Sequence, residues 1–159
     1  MKAILITGGL GFIGQNLIKH FIGKYKIFVI DNLSSKGITK KYLFDKKKIR
    51  LIKKDISNYL NLSSVLKNQK IDYVIHAAAN FANENSVLNP HKDLKSNILG
   101  TLNVLEFLKK KKVKKFIYLS SSCVYGENSF ARENLLVNPH ETPYAISKFS
   151  AELYVQFYK

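Results

Sequence analysis

Two residues near the end of the chain, Tyr144 and Lys148, have the side chains and the spacing to move a proton. Four positions apart on a predicted helix, they point at the same place. An ammonium beside a phenol favours the phenolate and lowers a pKa that starts near ~10. Tyr144 is therefore a candidate general acid/base for a sugar or alcohol hydroxyl. Tyr-x-x-x-Lys is common on helices, and what gives it meaning is the chain before it. A serine cluster, Ser120-Ser121-Ser122, stands at the end of a predicted strand. Far upstream, Gly9, Gly11 and Gly14 satisfy G-x-G-x-x-G, and Gly8, Gly11 and Gly14 satisfy its G-x-x-G-x-x-G variant. Glycine is needed there because the turn takes unusual dihedrals, the backbone must approach a pyrophosphate closely and the helix must sit tightly on the strand. The N–H groups at the helix start then face the phosphates. Asp31 follows about 20 residues on, where a carboxylate accepts hydrogen bonds from an adenosine ribose; the alternative is a solvated turn Asp before Asn32.

The elements that must position these groups follow from periodicity. The apolar run Ile4-Leu5-Ile6 predicts a strand, and Phe12, Ile13, Leu17, Ile18, Phe21 and Ile22 predict a helix that Gly23 ends. A second strand is read at 25–30, and the stretch from Lys36 to Lys48 as a loop with one short helix. Residues 49–53 predict a third strand and Leu60 to Gln69 a second helix. The fourth strand, 71–75, runs into His76-Ala77-Ala78-Ala79, small residues that let a ligand lie against the backbone. Residues 80–92 read as a long polar loop, and Asp93 to Lys111 as a helix with Leu94, Ile98, Leu102, Leu105 and Leu108 on one side. Phe116 to Leu119 is the fifth strand, 127–142 a loop, and Tyr144 to about Tyr158 the last helix. Strand and helix alternate throughout. That predicts one α/β domain, a doubly wound parallel sheet in a three-layer α/β/α arrangement with strand order 3-2-1-4-5.

With 159 residues, 46% of them hydrophobic, one domain can bury a real core. No run reaches the ~18 apolar residues of a membrane helix, and the first residues move straight into a strand, so a soluble, cytoplasmic protein is expected. The single cysteine, Cys123, excludes an internal disulfide and suits a reducing compartment. No metal is expected. A net charge of +15 raises nucleic acid as a partner, but all except Arg50 and Arg132 of the 26 basic residues are lysines. Base readout and phosphate forks favour Arg, so the charge is read as a solvated surface that would benefit an anionic substrate.

Taken in order, the chain resembles the extended short-chain dehydrogenase/reductase family, specifically its NAD-dependent nucleotide-sugar epimerases and dehydratases. The resemblance runs from residue 3 to residue 158. It is carried by Thr7 to Gly14, Asp31-Asn32-Leu33-Ser34, Asp55-Ile56, His76 to Ala79, Asn97, Ser121 to Gly126 and Tyr144 to Lys148. It implies a Rossmann fold binding NAD, with Gly8, Gly11, Phe12, Ile13 and Gly14 along the pyrophosphate, and Asp31 and Asn32 on the adenosine ribose. Asp55 and Ile56 would frame the adenine, and Ala77, Ala78 and Ala79 would back the cofactor's middle. Asn97 resembles the Asn that props the active site. Ser121 matches the Ser/Thr that hydrogen-bonds the reacting hydroxyl, and Lys148 would bridge the nicotinamide ribose and Tyr144. The implied reaction is epimerisation of a nucleotide-activated sugar through a transient 4-keto intermediate. In the resembling dehydratases an Asp-Glu pair follows the Ser/Thr; Ser122 and Cys123 stand here, which favours epimerase or ketoreductase chemistry. Family members run to about twice this length, so residues 1–159 are expected to be the cofactor-binding half, without the smaller substrate domain, and the longer protein a homodimer. A non-catalytic dinucleotide-binding module is the competing class, against which the presence of Ser121, Tyr144 and Lys148 argues.

Overall fold

The computed structural model describes residues 1–35, 44–127, 130–135, 137 and 139–159. The expectation of a short helix within 36–48 falls partly outside these residues; Lys46–Lys48 forms a 3₁₀ turn. Five strands, β1 (Ala3–Thr7), β2 (Lys26–Asp31), β3 (Ile49–Lys53), β4 (Tyr73–His76) and β5 (Lys115–Tyr118), pair in parallel in the order β3-β2-β1-β4-β5. The fold is the doubly wound sheet that the sequence predicts. β1 is buried along its whole length, as a strand with a neighbour on each edge and helices on each face must be. At the edges, β5 alternates between half-buried and exposed residues, and β3 buries only Ile52 fully.

Period-two geometry divides the core. Leu5, Phe28, Ile30 and Val74 point to one face, where they join Leu62 and Leu66 of α2 (Tyr59–Leu66) and Val104 and Phe107 of α5 (Gly100–Leu108). Ile4, Ile6, Ile27, Val29 and Ile75 point to the other, where Ile18 of α1 (Phe12–Phe21) covers them. Two helices begin at side-chain caps. Asn58 caps α2 by accepting from the Leu60 N–H, and Thr142 caps α6 (Pro143–Phe157) by accepting from Ala145, with Pro143 at the first helical position.

Between β4 and β5 the chain differs from the expected loop. Residues Asn83–Leu88 form a short helix, α3, and α4 (Pro90–Leu94) begins three residues before Asp93. Pro90, taken as a loop residue, is the first residue of a helix, where its missing N–H costs nothing. From α4 the helix passes through a widened π turn, Lys95–Leu99, into α5. Such a turn displaces one residue from regular pairing and is common at functional sites. Asn97 sits in it. Among the described residues no helix is long and apolar enough to cross a membrane.

Candidate functional site

Parallel strands carry all their carboxyl ends to one edge of the sheet, and a cleft of about 440 Å³ opens there. Gly8, Gly11, Phe12, Ile13, Gly14, Asp31, Asn32, Asp55, Ile56, Ala77, Ala78, Ala79, Tyr144 and Lys148 all line it. Of the expected site residues only Asn97 and Ser121 are not part of its wall. Residues 130 positions apart are thus brought to one cavity.

The glycine turn is built by contact between backbones. A Cβ on Gly14 would lie 2.4 Å from the Gly8 carbonyl oxygen and 2.5 Å from Gly9 Cα. Gly8, at φ +65°, would put a Cβ 2.6 Å from Ala78 Cα, so β1 and the segment after β4 can approach only with glycine there. At Gly11 the nearest atom to an added Cβ is Gly8 O at 3.3 Å. Asp31 at the end of β2 is clamped: its Oδ2 accepts from Leu10 N at 2.9 Å and its Oδ1 from Leu33 N at 2.8 Å. The carboxylate therefore braces the turn as well as facing the cleft. Asn32 donates to Asp55 Oδ2 at 3.0 Å, while Ser57 N donates to Oδ1 at 2.8 Å. Burial pushes the Asp55 carboxyl up, but these hydrogen bonds outweigh it and hold the group below the ordinary carboxylate range. The arrangement suits a long anionic ligand with a ribose against Asp31.

At the other end of the cleft Tyr144 and Lys148 do not behave as the spacing suggests. Lys148 Nζ donates to the Leu119 carbonyl at 2.6 Å and lies 4.2 Å from the centre of the Tyr118 ring. Burial pulls the Lys148 ammonium down to about 8, against the opposing charges of Glu152 and Asp93. Burial likewise raises the Tyr144 phenol, and a hydrogen bond with Ser121 offsets only part of that rise. The expected lowering of Tyr144 by Lys148 is thus reversed. The ammonium is turned toward the end of β5, and desolvation of the phenol wins. Ser121 Oγ also accepts from Cys123 N at 3.2 Å.

Asn97 is buried and acts as a brace. Its Oδ1 accepts from Asn80 N at 2.7 Å, and its Nδ2 reaches Asp93 Oδ1 at 2.8 Å and Ser147 Oγ at 3.1 Å. Ser147 in turn donates to the Tyr144 carbonyl at 3.1 Å. Ser86 of α3 accepts from the Tyr144 N–H at 3.1 Å, and Phe81 packs edge-on against the Tyr144 ring with centroids 5.9 Å apart. Ser86, Asp93, Ser147 and Phe81 were not singled out from the sequence. Asn89-Pro90 was the available signal for the helices that carry two of them.

Residues 4–159 match the NAD dependent epimerase/dehydratase family. The chain belongs to that family. The dTDP-D-glucose 4,6-dehydratase of Dictyostelium discoideum is 36% identical over 180 residues, covering 99% of this chain and 40% of that protein. Among solved structures, the UDP-glucose 4-epimerase of Thermotoga maritima, determined with UDP-glucose, superposes with a TM-score of 0.88 at 34% identity, over 98% of this chain and 50% of that one. The UDP-glucose 4-epimerase of Thermus thermophilus in complex with NAD gives 0.88 at 28% identity, again over 98% of this chain and 50% of the other. The chain spans about half the length of the curated relatives it matches.

Proposed function

We propose that residues 1–159 form the NAD-binding half of a nucleotide-sugar epimerase that works through a transient 4-keto intermediate. The observation that carries this reading is the single cleft into which the glycine turn, Asp31 and the Tyr144–Lys148 pair all converge. The residues fit a dinucleotide: the turn leaves its backbone open at Gly11 while excluding side chains at Gly8 and Gly14, and a carboxylate closes one end. Gly8 to Gly14 with Phe12 and Ile13 would take the pyrophosphate, Asp31 and Asn32 the adenosine ribose, and Asp55 and Ile56 the adenine. Ala77 to Ala79 would back the middle, and Asn97 would hold the wall through Asn80. NAD, when bound, supplies hydride acceptance and return at the sugar carbon.

The chain's own part is proton transfer. Tyr144, a neutral phenol in its buried setting, must first release its proton to solvent through the cleft; its phenolate oxygen then takes the proton of the sugar hydroxyl and later gives it back, with Ser121 holding the phenol in line. Lys148 favours the phenolate once a ribose hydroxyl competes with Leu119 for its Nζ. Ser122 and Cys123 offer no acid at the positions after Ser121, which supports epimerase or simple ketoreductase chemistry over the dehydration named for the Dictyostelium relative. A purely cofactor-binding module would need no proton-transfer groups, and Ser121, Tyr144 and Lys148 are all present. The exposed Ile146, Leu153, Tyr154 and Phe157 of α6, with Leu94 and Leu99 nearby in sequence to Asn97, favour a homodimer in the longer protein. Nothing in the cleft asks for a nucleic-acid or membrane partner.

Calorimetric titration of the chain with NAD and NADP tests the cofactor half. NAD should bind and NADP bind more weakly, because Asp31 repels a 2′-phosphate. Turnover of UDP-sugars by the longer protein tests the rest, and inversion without lasting release of a keto-sugar is the expected result.

A further inference from the structure

His76, at the end of β4, is fully buried, and the reaction does not use it. Its hydrogen bonds can be assigned by counting hydrogens. Thr101 has one hydroxyl hydrogen, and it goes to the Asn97 carbonyl at 2.6 Å. Thr101 Oγ1, 3.0 Å from His76 Nε2, must therefore accept, and Nε2 carries the proton. Nδ1 is then an acceptor and takes the Thr7 hydroxyl hydrogen at 2.6 Å, while Thr7 Oγ1 accepts from Ala78 N at 3.3 Å. Every hydroxyl hydrogen and both ring nitrogens are used once. A second ring proton would face the Thr7 hydroxyl and displace its hydrogen. Burial, with the charge of Lys148, pushes the imidazolium down to about 3.

The ring so fixed is a platform. It stacks on Tyr118 with centroids 5.7 Å apart and planes 22° apart, with Phe116 at 6.0 Å also stacked on it. The Tyr118 hydroxyl donates to the Lys148 carbonyl at 3.4 Å, so the phenol is tied to the imidazole through its ring and to the last helix through its hydroxyl. The Tyr118 ring in turn carries the Lys148 ammonium at 4.2 Å. From Thr7 at the end of β1 to Lys148 in the last helix, the contacts run through one imidazole.

We propose that His76 is a positioning residue for Lys148, held as the neutral Nε2–H tautomer between Thr7 and Thr101 so that Tyr118 presents its face to the ammonium. The proposal rests on the reading of Lys148 as a working group of the cleft. Loosening the platform lets water reach Lys148, and the ammonium then regains its ordinary stability.

Two measurements on the chain without cofactor or sugar test this. Long-range ¹H–¹⁵N correlation of the His76 ring should show a protonated Nε2 and a bare Nδ1, unchanged from pH 8 down to pH 5. Lysine side-chain NMR should find Lys148 titrating near 8. His76→Leu and Thr101→Val should raise that midpoint enough to change the protonation constant about threefold or more. Thr101→Ser, which keeps the hydroxyl, should restore it. Glu152 and Asp93 bear on Lys148 in every variant and cancel from the comparison. If His76→Leu does not fold, the Thr101 pair decides. An Nδ1–H or doubly protonated ring at pH 5–8, or a Lys148 midpoint that is the same in the Val and Ser variants, overturns the proposal. Failure to bind NAD would overturn the cofactor reading and leave these results standing.

Discussion

The two ends of the cleft are built on different principles. At the end proposed to take the adenosine, carboxylates are locked by backbone N–H groups of near neighbours, Asp31 to Leu33 and Asp55 to Ser57, and Gly14 packs against Gly8. At the end proposed to react, Tyr144 and Lys148 are both buried, and the Lys148 ammonium donates to the Leu119 carbonyl. One end is satisfied before a ligand arrives. The other holds Tyr144 and Lys148 in the neutral-favouring state that desolvation prefers. On the proposed function, rigid recognition and adjustable chemistry are thereby separated along one cavity.

That contrast can be broken from either side. The largest effect is expected from Tyr144→Phe in the longer protein: turnover should fall ~10²–10⁴-fold while NAD affinity stays nearly unchanged, because the phenol transfers a proton and contributes little to binding. Steady-state rates and calorimetry together check it, and a Phe variant of wild-type rate would remove Tyr144 from the mechanism. Ser121→Ala should act in the same direction and less strongly.

At the adenosine end, Asp31→Ala should weaken NAD and narrow the NAD/NADP gap, and it should also destabilise the chain by ~1–3 kcal/mol because Leu10 and Leu33 lose their acceptor. Urea unfolding separates the two effects, and loss of binding with no loss of stability would show that the clamp is unimportant. Gly14→Ala should cost about as much, ~1–3 kcal/mol, as Gly8 and Gly9 move aside. Gly11→Ala, whose Cβ has far fewer close neighbours, should spare the melting temperature and act mainly on ligand binding.

The smallest effect concerns pH: at both ends stability rises with pH, but in different windows. Lys148 is near 8 in the folded chain against an ordinary 10.5, so between those values the unfolded chain binds more protons and stability rises with pH. Asp55 lies below its ordinary 3.8, so its contribution is complete above that value and is lost as pH falls through the folded one. Unfolding measured from pH 7.5 to 10 should show the alkaline gain, and Lys148→Met should flatten it. A slope that survives Lys148→Met would assign it to another group.

Residues 80–92 show where sequence reading stops. Their polarity and Pro90 suggest a loop, yet α3 and α4 are there because Ser86 and Asp93 are buried against the last helix. Polar residues that are buried by tertiary contact look like surface residues in a one-dimensional pattern. The same is true of His76, whose importance lies in Thr7 and Thr101, 69 and 25 positions away.

What the sequence determined by itself is what depends on near neighbours and on period. The strands and most helices follow from the spacing of apolar side chains, and the strand order from the handedness of the crossovers. The glycine turn and Asp31 were legible because they sit within one β-α-β unit, where close backbone approach allows only certain residues. What only the tertiary structure decided is the electrostatic state of the reacting end. A four-residue spacing places Tyr144 and Lys148 on one face of a helix, but whether the ammonium meets the phenol or the Leu119 carbonyl depends on β5 and on how much water the packed helices exclude. Desolvation is a property of everything around a group, and no local stretch of chain contains it.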